Sequence, residues 1–348
     1  MKFLNQKIMH NHFFMGRTLH AAGLSVCLAA LTACGGGSST STDTTSSTTT
    51  TAGVQCSYST SAFNADPLVN LTSTASWSCT DTARTLKTNS VPDHAVGPFN
   101  IQSDLDFKIS AQNTEVSATI TPAVSSTTGT AIQTAGYALN GIKFEPGTGG
   151  NCASAATSTD TTVSGSGTVG GCTLLGNLGA WRMEALGQTS FNFGADGSNG
   201  HVQPQGEYHY HGMPEKFIDK LGKGKQTMTL VGWASDGFPM YARYGHVDAS
   251  NAQSGVKVLS SSWRKKTSPD SGRPSATIFP MGTFLQDYEY VAGSGDLDEC
   301  NGRTGVTPEF PKGIYHYMVT ETWPYVHRCV KGTPTGGATG GGMPPPRA

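Results

Sequence analysis

The chain has 348 residues, a net charge of −1, 44 glycines and only 14% charged residues. Lysine and arginine do not cluster, so no nucleic-acid partner is expected. The Gly/Ser/Thr-rich, turn-rich composition excludes a helical bundle and leans towards β-structure.

In chain order, the first segment carries Lys2, Lys7 and Arg17, and residues 21–33 (AAGLSVCLAALTA) follow without a charge. A membrane span needs about 20 residues, so this shorter run fits the apolar core of a secretion signal over 1–33. It ends Leu31-Thr32-Ala33-Cys34, which resembles a bacterial lipobox, and Cys34 is the expected lipid-bearing N-terminus of the mature protein. Gly35, not Asp, follows. By likeness to lipoprotein sorting this implies the outer membrane of a bacterial cell envelope, with the membrane as partner through the lipid at Cys34. Several acyl chains together make a stable anchor. Residues 34–52 (CGGGSSTSTDTTSSTTTTA) have almost nothing to pack and read as the lipidated Cys followed by a flexible tether.

Residues 53–333 form the expected folded domain, with 53–90 as a possible N-terminal subsegment and 334–348 as a disordered Gly/Pro-rich tail. Strand-like runs are short and bounded by turn residues: 106–109 with 116–120, 141–144, 206–211, 228–232 and 313–320. The pair Asn140-Gly141 signals a hairpin. A short helix is expected at 214–221. Residues 151–171 read as an exposed insertion pinched at its base by Cys152 and Cys172. No repeat of 20 to 50 residues is visible beyond one short echo. The fold class is therefore mostly β: a disulfide-stapled antiparallel sandwich or barrel-like domain with long loops and few short helices.

Six cysteines remain beyond Cys34: Cys56, Cys79, Cys152, Cys172, Cys300 and Cys329. An even number in an oxidising compartment reads as three disulfides, although six cysteines allow 15 pairings. Sequence proximity favours Cys56–Cys79, Cys152–Cys172 and Cys300–Cys329. No C-x-x-C spacing supports thiolate metal ligands instead.

The chemistry is concentrated in residues 206–214 (GEYHYHGMP). Residues two apart on a strand share a face, so His209 and His211 stand together, with Tyr208 and Tyr210 on the other side. Two adjacent imidazoles begin a metal site. His201 lies just upstream. Tyr315-His316-Tyr317 echoes the motif, with Met318 in the place of the second histidine, and His94 is a fifth candidate ligand. By parity Glu207 shares the face of His209 and His211, which makes it a candidate ligand or general base. Asp236 could orient a ligand histidine, or simply bond its own turn. Tyr208, Tyr210, Tyr315 and Tyr317 complete the surrounding group. The H-E-x-x-H pattern of zinc proteases is absent, and residues 296–303 lack the spacing of a calcium loop.

Residues 208–211, 236–239, 296–303 and 315–317, with Val91-Pro92-Asp93-His94, Gly97-Pro98-Phe99, Asn140-Gly141-Ile142 and Phe144, resemble the YHYH domain family over roughly residues 85–330. The resemblance implies an exported protein and supplies no reaction. On the residues alone, the expected cofactor is copper, by affinity order and by the nearby Met213, Met240 and Met318, with zinc second. Two other functions remain open: a metalloenzyme, either copper oxidase or zinc hydrolase, and a surface adhesion module using Tyr and Trp, among them Trp323 and Tyr325, to bind a glycan.

Overall fold

The computed structural model describes residues 56–99, 107–125, 127–162, 170–223 and 225–335. Cys34, the expected signal segment 1–33, the expected tether to residue 52 and residues 336–348 of the expected tail 334–348 lie outside them, whereas Thr335 is hydrogen-bonded to Ser235 and Ser117. Two sheets dominate. The first joins β1 (Ser59–Asn64), β2 (Leu71–Cys79), β3 (Ala83–Thr88) and β4 (Thr114–Thr119) in sequence order, all antiparallel. β2 buries Ser73, Ala75 and Trp77 on alternate positions, the period of a half-buried strand. Trp77 and Leu86 belong to the main core, and the Trp77 indole N–H donates to the carbonyl of Leu139 (2.9 Å). The candidate subsegment 53–90 therefore shares the core of the rest of the domain.

The second sheet has eight strands and curls into a half-barrel. In chain order its strands are β5 (Gly136–Ala138), β6 (Lys143–Phe144), β7 (Gly200–Val202), β8 (Tyr208–Tyr210), β9 (Thr229–Ala234), β10 (Pro239–Ala242), β11 (Gly302–Gly305) and β12 (Ile314–Val319). Their spatial order is β7-β8-β6-β5-β9-β10-β12-β11. The β8–β6 and β10–β12 ladders are parallel and the others antiparallel, so the sheet is mixed. Long connections leave β6 and β10 before the chain returns to pair in parallel, as that geometry demands. The short helix expected at 214–221 is present as α1 (Glu215–Leu221), seven residues long, and it buries Phe217. Residues 107–110, part of an expected strand, are irregular, but the Ser110 N–H donates to Gly206 (2.9 Å) and so ties the segment to the β7–β8 hairpin.

The three disulfides are Cys56–Cys79, Cys152–Cys172 and Cys300–Cys329. Cys152 and Cys172 pinch the insertion at a buried base, where they join a second core with Leu174, Trp181, Met183, Phe193 and Phe284. This second core supports one wall of the site described next.

Candidate metal centre

β7 and β8 form a hairpin in which His201 faces His209 directly and Val202 faces Tyr208. Facing residues in a ladder present side chains to the same side, and His211 follows His209 by two. The result is a triangle of imidazole nitrogens. Nε2 of His201 lies 3.0 Å from Nε2 of His209 and 2.9 Å from that of His211, and the last two are 3.0 Å apart. His209 and His211 are buried and His201 nearly so.

The tautomers can be read from the partners. Nδ1 of His201 meets the carbonyl of Phe193, and Nδ1 of His209 meets that of Glu207 at 3.4 Å. A carbonyl only accepts, so both Nδ1 atoms carry the proton and both Nε2 atoms present a lone pair to the centre of the triangle. Burial pushes His201 down and His209 and His211 well down from the usual histidine range; the neighbouring imidazoles add to the effect on the last two. The rings are held neutral, the state that ligates. Two lone pairs converging in a buried site repel, and a cation held between the rings relieves that repulsion. Metal–imidazole bonds are about 2.0–2.1 Å, so three nitrogens this close together could all serve one ion, which His201, His209 and His211 would hold. These three residues are the candidate metal-holding group among the described residues.

All three imidazoles line one cavity of about 190 Å³. Its other walls are largely apolar, from Phe107, Leu174, Leu175, Phe193, Val202 and Pro204. Glu145 and Gln203 supply polar atoms at its rim, where the Gln203 amide donates to Glu145 (2.7 Å) and Lys143 pairs with Glu145 (2.9 Å).

The opposite face of β8 locks the strand. The Tyr208 hydroxyl donates to Asp196 Oδ2 (2.9 Å), whose other oxygen accepts from the N–H groups of Ser198 (2.8 Å) and Gly200 (3.2 Å). Asp196 thus ties the turn leading into β7 to β8. The Tyr210 hydroxyl meets His94 Nε2 and accepts from Asn140 Nδ2 (3.2 Å). Asn140 also donates to Asp93 (2.8 Å), which pairs with Lys220 (2.8 Å). Burial raises both tyrosines well above the usual phenol range, keeping them protonated donors.

Of the five candidate ligand histidines, the structure brings together His201, His209 and His211. His94 sits behind the sheet as the acceptor for Tyr210. His316 lies on β12 in the far half of the sheet. Glu207 pairs with Lys143 (2.8 Å) and is not among the cavity-lining residues; Glu145 is the carboxylate there. Asp236 holds Tyr317 (2.7 Å) and the Gly332 N–H (2.9 Å), far from the triad along the strand order. Tyr315 donates to Asp298 (2.9 Å), an aspartate whose other oxygen caps its own turn, so residues 298–302 form a capped turn. Sequence reasoning missed Glu145, Asp196 and the Phe193 carbonyl. Asp196 alone had a readable signal, the pattern Asp-x-x-Asn-Gly at 196–200 that recurs at 298–302.

A family model described as YHYH protein matches residues 113–332. No curated protein and no solved structure matches the chain.

Proposed function

The chain belongs to the YHYH protein family, and we propose that the histidines of the family's signature tetrapeptide, completed by His201, form a three-imidazole metal centre in an exported, lipid-anchored protein. The observation that carries this is the Nε2 triangle with sides of 2.9–3.0 Å, two of whose corners present lone pairs to the others. Three imidazoles with an open side suit a divalent ion, and the affinity order puts copper first and zinc second. No methionine lines the cavity at the triad among the described residues, so thioether ligation adds nothing to the case for copper. The lipobox-like end of the leader supports anchoring at Cys34 and location in the outer membrane.

The test is electron paramagnetic resonance of the copper(II)-loaded protein. Three equivalent-type nitrogen couplings that vanish together in the His201→Ala, His209→Ala, His211→Ala triple variant are the expected result. A signal unchanged by that variant contradicts the centre.

The apolar cavity favours a second reading, a metalloenzyme acting on a small molecule. A bound metal would supply Lewis-acid polarisation there. Phe107, Leu174 and Phe193 would exclude water and hold the apolar part of the ligand, and Glu145 would hold or take up a proton at its carboxylate. Adhesion through aromatic residues has less support: Trp323 is buried, stacked on Tyr288 at 4.4 Å.

A further inference from the structure

The Tyr315-His316-Tyr317 echo is the core of a second copy of the scaffold that carries the triad. From either edge inward, the large sheet repeats one arrangement. An edge strand (β7 or β11) pairs antiparallel with a Tyr-His-Tyr strand (β8 or β12). That strand pairs in parallel with the second arm of a hairpin (β6 or β10), whose first arm (β5 or β9) lies at the middle. The two copies meet where β5 and β9 pair antiparallel.

The match continues at the level of single hydrogen bonds. Asp196 and Asp298 each accept from the second and fourth N–H groups after them, at Ser198 and Gly200 (2.8 and 3.2 Å) and at Cys300 and Gly302 (3.0 and 3.0 Å). Each accepts the hydroxyl of the first motif tyrosine at 2.9 Å. Asn199 and Asn301 both have positive φ, 55° and 59°, and Gly206 and Gly313 share φ of 89°. A Cβ on Gly200 or Gly302 would overlap the same motif tyrosine, Tyr208 or Tyr315. The two tyrosines of each motif cross at 85°. His209 and His316 each donate from Nδ1 to the carbonyl two residues back, at 3.4 and 3.1 Å. Behind the sheet, Asn140 and Asp236 hold the second tyrosine, and His94 and His327 stack on it.

In this correspondence His201 becomes Arg303, His209 becomes His316 and His211 becomes Met318. Arg303 faces His316 in the ladder, as His201 faces His209. His316 Nε2 and Arg303 Nε are buried without a hydrogen-bond partner among the described residues, while the same guanidinium donates from Nη2 to the carbonyl of His246 (2.7 Å). We infer that the sheet is an internal duplication of one metal-site scaffold, and that its C-terminal copy has replaced the metal ion by a resident cation, the guanidinium of Arg303. The inference rests on the metal reading of the first copy for its chemistry, and on the matched hydrogen bonds for its geometry. A guanidinium is charged at every physiological pH, so it opposes entry of a second cation while keeping a positive charge beside the imidazole.

The test restores the missing ligands. Elemental mass spectrometry is run after dialysis against zinc or copper on the full mature chain, on Arg303→His with Met318→His, and on the same pair combined with His209→Ala and His211→Ala. The expected counts are one ion for the parent, two for the restored chain and one for the combined variant. The increment between parent and restored chain decides the inference, and the parent's own count decides the metal reading, so the two fail separately. Should the double change unfold the chain, Arg303→His alone leaves His316 and Met318 in place and is expected to add one equivalent when copper is supplied as preformed copper(I) under anaerobic conditions. No added equivalent in a restored variant that keeps the parent's circular dichroism overturns the inference.

Discussion

Asp196 and Asp298 make nearly the same hydrogen bonds in the two halves of the sheet, and only one of them supports the triad. Replacing Asp196 by Ala removes the acceptor for Ser198 N, Gly200 N, Gly97 N and the Tyr208 hydroxyl. Each donor left unsatisfied costs about 1–3 kcal/mol, and water reaching this partly exposed site recovers some of it, so a loss of about 3 kcal/mol is expected. At roughly 2–4 °C per kcal/mol for a domain of this size class, the melting temperature falls by about 6–12 °C. Asp298→Ala removes the acceptor for Cys300 N, Gly302 N and the Tyr315 hydroxyl, with a similar loss. The two variants differ at the metal. Asp196 fixes the register that sets His201 against His209, and loss of such a supporting contact typically weakens metal binding about 10–100-fold. Asp298→Ala is expected to bind as the parent does. Competition with a chromophoric chelator measures the affinity, and calorimetry the melting temperature. Equal weakening of metal binding by both variants, or by neither, would refute the reasoning.

Three further outcomes follow from the same structure. Burial pushes His316 and His327 down to about 4 and about 3, below the usual value near 6.5 for the unfolded chain, and the triad shifts in the same direction. The unfolded state therefore binds more protons below about pH 6.5, and stability present above that pH is lost as it falls towards 4, by up to about 1.4 kcal/mol per pH unit for each histidine; a metal-free melting temperature flat between pH 7 and 4.5 contradicts this. Removing the disulfide with Cys152→Ser and Cys172→Ser opens a loop of sequence separation 20, costing about 3 kcal/mol in the chain-entropy model, and an unchanged melting temperature counts against it. Cys34→Ala is expected to move the protein from the membrane to the soluble fraction of the envelope, and continued membrane association contradicts the lipid anchor.

Much of the centre was legible in the sequence because strand parity is local. The Tyr-His-Tyr-His run places His209 and His211 on one face whatever the topology, and the short hairpin brings His201 close. What was not legible depends on pairing over long separations. Glu145 reaches the cavity because β6 pairs in parallel with β8, setting Lys143 beside His209 across more than sixty residues of chain. His94 and Asp236 have the chemistry of ligands or their partners, and only the three-dimensional structure puts them behind the sheet as latches for Tyr210 and Tyr317. β1 was missed because none of its positions is fully buried, and β2 and β3 because their buried positions include Ser73, Ala75 and Thr88, which blur the hydrophobic alternation. The duplication was hidden as well, since its copies share only Asp-x-x-Asn-Gly and Gly-x-Tyr-His-Tyr, separated by five residues in one and ten in the other.

The most direct test of the metal centre is the stoichiometry of bound metal in the domain purified from an oxidising periplasm, set beside the His209→Ala, His211→Ala double variant. Close to one copper or zinc per chain in the parent and none in the folded variant is the predicted result. Equal metal content in the two, or none in the parent after reconstitution, would contradict it.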